Sequence, residues 1–287
     1  MTQNLAQTMP SAVPAEDKPV LSLIVLTNFM PAAHRAIRYA AELATPIGAQ
    51  VVLLHVREVS ELEGELLPHD PEREGELRMA VQTLADELYK PASIELVPDL
   101  QFSTAAALAK RYAPALFVLG RTEESAEEGL VNTAVLEVLR TGQFPLLLVP
   151  ETYHGAATPK QVLVAADGEP FTLDKPKAAL QLLKEIEPRM TVVTVSMVED
   201  DEVCAAALHQ VKVNGLADAA SHTTLEVVKH AFPVHGILKA VTQTGAEMVV
   251  LLARRRSFLG AMFHRSVTNR LLSTCPVPML VLPTTDS

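Results

Sequence analysis

The chain has 287 residues, 48% of them hydrophobic, and a formal net charge of -10. That length suits two ordinary domains or one large one, with apolar content enough for a sizeable core. The acidic balance, the absence of Trp and an aromatic content of only 4% argue against nucleic-acid binding by charge or by base stacking.

The first segment, MTQNLAQTMPSAVPAEDKP (1–19), lacks the basic start and apolar run of a signal peptide and reads as a flexible tail. Short Val- and Leu-rich runs then alternate with helical patterns. LSLIVLT (21–27) reads as a strand buried on both faces, and PAAHRAIRYAAELATPIG (31–48) as an amphipathic helix ending near Gly48. AQVVLLHV (49–56) is the next strand, a charged helix covers roughly 68–90, and SIELVP (93–98) is a strand. STAAALAKRYA (103–113) reads as helix, ALFVLG (115–120) as strand, NTAVLEVLRT (132–141) as helix and FPLLLVP (144–150) as strand. Helical crossovers between such strands imply parallel pairing.

After ETYHGAATP (151–159), a linker of small and turn-forming residues, the pattern starts again at KQVLVAADG (160–168) and runs to VPMLVLP (277–283). NTAVLEVLRTGQFPLLLVP matches RSVTNRLLSTCPVPMLVLP, with Thr133 on Ser266 and Pro145 on Pro278, a displacement of 133 residues. Self-similarity at a domain-sized period indicates duplication. The expected domains are 20–150 and 160–284, each an open doubly wound α/β sheet whose ligands bind beyond the C-terminal strand ends.

The acidic run Glu199–Glu202 suits a helix N-terminus. His230 and His235 flank AFPV, and with Pro233 between them they read as ordinary surface or core histidines. Cys204 and Cys275 lie outside any CxxC pair and read as packed small residues in a reducing cytoplasm. No apolar run approaches the roughly 18 residues of a membrane helix. Walker, GxGxxG and GxSxG motifs are absent, and nothing sets a general base beside a nucleophile, so the expectation is not an enzyme.

Both halves resemble universal stress protein (UspA-like) domains. The resemblance rests on the first strand entering an Asp- or Asn-containing turn, on the PAAHRAIRYAAELA-type helix, and on the closing (V/L)LxxxxxPxLLVxP segment. It implies two tandem Rossmann-like domains of the adenine nucleotide alpha hydrolase-like kind, with five-stranded, mostly parallel sheets. It also implies an intramolecular pseudo-dimer joined through the last strands, FPLLLVP and VPMLVLP, with room for a further homodimer of chains.

Nucleotide-binding members are similar in carrying G-x2-G-x9-G-(S/T) after the fourth strand and an adenine-side Asp after the first. Glycines there let backbone N–H groups approach phosphates at a helix N-terminus. In the second half Asp167 takes the Asp position and Ser266 the Ser, but the glycine positions fall on Leu252, Arg255 and Arg265. In the first half Asn28 replaces the Asp, Gly120 keeps the first glycine, and Asn132 and Thr133 occupy the Gly-Ser pair. Residues 120–133 sum to about -3, whereas 252–266 hold Arg254, Arg255, Arg256 and Arg265 and no acid, about +4.

The expected function is therefore a non-catalytic interaction and signalling module of the stress response with degenerate nucleotide sites. The alternative is an ATP- or AMP-binding protein (with Mg) whose second half grips phosphate through Asp167, Arg254, Arg255, Arg265 and Ser266, with a weak ATPase as a further variant. An unidentified protein partner is expected, and neither nucleic acid nor membrane.

Overall fold

A computed structural model describes residues 19–56, 71–88, 91–122, 144–197, 200–254 and 267–285. The expected tail (1–18 of it) and the helix over 132–141 lie outside these residues.

The first half runs β1 (Ser22–Thr27), α1 (Pro31–Ile47), β2 (Gln50–Val56), α2 (Pro71–Asp86), β3 (Ala92–Val97), α3 (Phe102–Arg111), β4 (Ala115–Arg121) and β5 (Leu146–Pro150). The second runs β6 (Gln161–Ala165), β7 (Thr172–Leu173), α4 (Lys177–Ile186), β8 (Arg189–Ser196), α5 (Asp201–Val213), β9 (His222–Lys229), α6 (Pro233–Thr244), β10 (Met248–Arg254), α7 (Val267–Thr274) and β11 (Met279–Thr285).

Local chemistry explains the boundaries. Pro31 opens α1 at a position where its missing N–H costs nothing, and Gly48 ends it at φ 67, its N–H bonding Ala44 O. Asp200 caps α5, its carboxylate accepting from the N–H groups of Glu202 and Val203, with Asp201 and Glu202 in the favourable first turn. The acidic run is thus capping chemistry.

The strands order as β3-β2-β1-β4-β5-β11-β10-β6-β8-β9, with β7 added on β11. The halves join through their last strands, as expected, into one continuous eleven-stranded sheet; the one difference is that the second half contributes six strands instead of five. The continuity comes from β5 and β11, which pair antiparallel as Leu148–Met279, Leu147–Leu280 and Leu146–Val281. Leu147 and Leu280 are related by the same 133-residue displacement as the sequence repeat, so a pseudo-twofold axis passes between them. Each half thereby buries an edge strand that would otherwise expose a row of unpaired backbone groups.

The sixth strand has a local cause. In the first half α1 begins three residues after Asn28; in the second, β7 intervenes and α4 begins only at Lys177. β7 pairs with Thr284 and Thr285 of β11, and the following Lys175 sets its Nζ 4.4 Å above the Phe144 ring of the first half. The insertion therefore extends the contact between halves.

Apolar side chains from both halves form one layer on each sheet face. α1, α2, α4 and α5 cover one face, through residues such as Ile37, Leu43, Leu84, Leu182 and Val211. α3, α6 and α7 cover the other, through Leu108, Ile237, Leu271 and Leu272. Each fully buried Leu or Ile contributes about 1.5–3 kcal/mol, which is how a core poor in aromatics suffices. The linker is also packed: Tyr153 is buried against Tyr39, and Arg35 Nε donates to its carbonyl. Cys204 and Cys275 are both buried, and burial pushes the Cys275 thiol up to about 11. Among the described residues no helix is long and apolar enough to cross a membrane.

Candidate functional site

Strand order reverses between β1 and β4 in the first half and between β6 and β10 in the second, so each switch point lies at the C-terminal ends of those strands. The registers relate the two sites. Leu23 pairs with Leu116 while Val162 pairs with Met248, which sets Asn28 against Asp167 and Gly120 against Leu252.

Asn28 and Asp167 do the same local work. Asn28 Oδ1 accepts from Met30 N at 3.1 Å, and Asp167 Oδ1 accepts from Glu169 N at 3.1 Å. Both are side chains mimicking a backbone turn two residues on. Asp167 carries a second partner. Arg254 Nη2 donates to Asp167 Oδ1 at 2.9 Å and to Glu169 O at 3.1 Å, and Nη1 donates to Pro170 O at 3.3 Å. The Glu169 carboxylate lies 3.9 Å from Nη1. Arg254 is 20% exposed against 66% for Asp167, so the guanidinium is inserted into the 167–170 turn, with its donors aimed at that turn. The two residues that the alternative reading assigns to phosphate and adenine are thus bonded to each other.

Removing Arg254 should cost more than removing Asp167. Asp167→Ala breaks an exposed ion pair, worth under about 1 kcal/mol. Arg254→Ala also removes the donor to the Glu169 and Pro170 carbonyls of that exposed turn and should cost about 1–2 kcal/mol. Urea midpoints of the two variants check this ranking; equal midpoints would mean the turn does not depend on Arg254.

In the first half, Gly120 is buried beneath α1. A Cβ there would lie 2.0 Å from Ala32 O and 2.2 Å from Ala32 C. The glycine serves helix-on-sheet contact. Leu252 stands at its counterpart because the second half has no helix turn there: β7 and its flanking turns take that stretch of chain.

Several site residues escaped the sequence reading. Phe29 adopts φ 60, a strained value for an aromatic residue, and its ring lies 5.1 Å from that of His55. His55 is buried, its Nδ1 2.9 Å from Thr27 O. The hydroxyls of Thr27 and of Thr194, the register counterpart of His55, are buried with no hydrogen-bond partner among the described residues. Arg121, counted by charge as part of a loop, is a buried interdomain residue. It is 3% exposed; Nη1 donates to Ser273 O, and Nη2 to Cys275 O at 2.6 Å, at the C-terminal end of α7. Period-2 alternation could have placed it on the face of Phe117 and Leu119, but no local signal names a partner 150 residues away.

Arg255, Arg265, Ser266, Asn132 and Thr133 lie outside the described residues. Among those described, no group of three His, Cys, Asp or Glu residues is arranged to hold a metal ion.

The universal stress protein family model matches twice, over residues 22–150 and 159–283. No curated protein matches. Among solved structures, the chain is similar to a universal stress protein from Archaeoglobus fulgidus DSM 4304, at 17% identity and TM-score 0.64, covering 91% of this chain and 97% of that one. It is also similar to a functionally unknown protein from Pseudomonas aeruginosa PAO1, at 15% identity and TM-score 0.52, covering 91% and 92% respectively. At such identities the likeness concerns the fold. The two family-model matches span nearly all of the repeat, and the chain belongs to the universal stress protein family, with two such domains in tandem.

Proposed function

We propose that this protein is a non-catalytic interaction and signalling module of the stress response, in which neither half binds adenine nucleotide under working conditions. The observation that carries this reading is the Arg254 guanidinium seated in the 167–170 turn. A nucleotide would have to displace those bonds before Asp167 could meet an adenine or Arg254 a phosphate. The loss falls on binding, at about 0.5–1.5 kcal/mol for each hydrogen bond broken in this exposed turn. In the first half, Asn28 supplies no charge, and the first turn of α1 closes over Gly120.

Asp167 remains two-thirds exposed at the switch point, which favours the competing reading of an ATP or AMP site in the second half. Calorimetric titration of the full chain with ATP and AMP, with and without Mg, separates the two. The expected result is no binding tighter than about 1 mM, corresponding to about 4 kcal/mol. A stoichiometric adenine nucleotide released by heating the purified protein, or a micromolar Kd lost in Asp167→Ala, would replace the first reading with the second.

A further inference from the structure

The eleven-stranded sheet ends at β9, two strands beyond the switch point between β6 and β10. β9 pairs with β8 over all eight of its residues, from His222 to Lys229, and its other edge meets no strand among the described residues. Its sequence, HTTLEVVK, holds no Gly or Pro and is rich in β-branched residues. β3, at the opposite end of the sheet, is two residues shorter, and Arg111 and Tyr112 at the end of α3 both donate to its Glu95 carboxylate. A long, regular edge such as β9 offers its row of backbone N–H and C=O groups to another chain.

The side chains of β9 narrow the choice of chain. Val228 belongs to the layer under α6, so alternation sets His222, Thr224 and Glu226 on the same face, and all three are exposed. Thr223, Leu225 and Val227 point to the other face and are half-buried, with Leu225 packed partly against the opposite layer.

Two copies of β9 can pair antiparallel about a twofold axis, and the registers differ in which residue meets itself. With Glu226 on the axis, two carboxylates stand directly opposite each other. With Leu225 on the axis, the same carboxylates are diagonal neighbours. With Thr224 on the axis, Glu226 faces His222 of the second copy, and symmetry makes that pair twice. Leu225 then faces Thr223, and the two Glu226 carboxylates are four residues apart along the ladder, about 13 Å. An imidazole N–H opposite a carboxylate is a favourable cross-strand pair, whereas like charges opposite each other are not. The exposed face of β9 is therefore complementary to itself in one register. The molecule already contains a contact of this type, since β5 and β11 join edge to edge, antiparallel, about a pseudo-twofold axis.

We propose that β9 is a self-association edge, through which two copies of the chain pair antiparallel over residues 222–226 with Thr224 on the axis and Glu226 against His222. Each chain has one such edge, so the contact closes at a dimer. It is independent of the nucleotide question, because it lies away from Asp167 and Arg254.

Sedimentation equilibrium of the full-length chain is the test. So short a ladder belongs at the small end of specific interfaces, and a dimer with Kd of about 10–100 µM is expected. Glu226→Lys and His222→Glu should each weaken it at least tenfold. The double variant His222→Glu, Glu226→Lys, which reverses the pair, should return to within threefold of the parent. Ser93→Lys, on the exposed part of the β3 edge, should leave the dimer intact. Unaltered thermal melting of the variants separates a lost contact from a lost fold. A chain that stays monomeric at about 500 µM would overturn the proposal, as would a dimer indifferent to both single variants or one dissolved by Ser93→Lys. A double variant as weak as the single ones would overturn the register centred on Thr224.

Discussion

Replacing Arg121 with methionine should destabilise the protein by about 3 kcal/mol, seen as a lower urea midpoint and faster hydrogen exchange in α7. The side chain leaves the end of β4 in the first half and donates to the Ser273 and Cys275 carbonyls at the end of α7 in the second. Those carbonyls are among the last of a helix, where no intrahelical N–H remains and the dipole is negative. Hydrogen bonds from a charged donor contribute about 1.5–3 kcal/mol each, and a partly buried cation at a helix C-terminus adds up to about 2 kcal/mol. Desolvating the guanidinium opposes these gains by several kcal/mol. Methionine retains volume and removes the desolvation cost, yet leaves two carbonyls unsatisfied near the core, so a loss near 3 kcal/mol is the net expectation. Arg121→Lys should fall between, because an ammonium cannot reach two carbonyls with a planar fork. A methionine variant within about 0.5 kcal/mol of the parent would mean Arg121 only fills space, a result typical of surface substitutions.

An equally large effect is expected from the smallest change in the molecule, Gly120→Ala. The added methyl would sit 2.0 Å from Ala32 O, 2.2 Å from Ala32 C and 2.8 Å from Ala33 N, all backbone atoms. Relief requires α1 to move. That helix is held by eight buried residues, from Ala32 to Ala44, so movement would open gaps along much of one core layer. Overpacking typically costs about 1–3 kcal/mol, and a clash with helix backbone belongs at or above the top of that range. Gly75 provides the control. It lies inside α2, where an added methyl would meet nothing within 4 Å, so Gly75→Ala should stabilise by about 0.5–1 kcal/mol through helix propensity. Thermal or urea unfolding of the pair decides the matter. Similar midpoints would show that α1 yields easily and that its contact with β4 is not tight.

The two variants also probe different couplings. Gly120 is tied to α1 within its own half, whereas Arg121 is tied to the other half. Adjacent residues on one strand thus face opposite layers of the sheet, as pleating requires.

Whatever depends on local pattern and repetition was legible in the chain alone. Buried strands such as SLIVLT and LLLVP announce themselves by composition, and α1 by its period and by Pro31 and Gly48 at its ends. The duplication was visible because NTAVLEVLRTGQFPLLLVP and RSVTNRLLSTCPVPMLVLP keep their spacing, and pairing of the last strands was what the family resemblance implied. The candidate positions Asn28, Asp167 and Gly120 were picked out by motif alignment, and Arg254 by the positive charge of its segment. Their partners were not. An arginine reads as loop charge or phosphate ligand until its acceptors are known. Arg254 turned toward Asp167, 87 residues earlier, and Arg121 toward Cys275, 154 residues later. β7 escaped because two residues carry no period, and its pairing with Thr284 and Thr285 exists only once the chain has closed on itself. Sequence by itself determined the elements other than β7, the repeat and the family, because periodicity and turn chemistry act over a few residues. Tertiary structure alone decided which charges meet, because electrostatic and hydrogen-bond partners are chosen by distance in space, and the fold brings together residues that the chain keeps far apart.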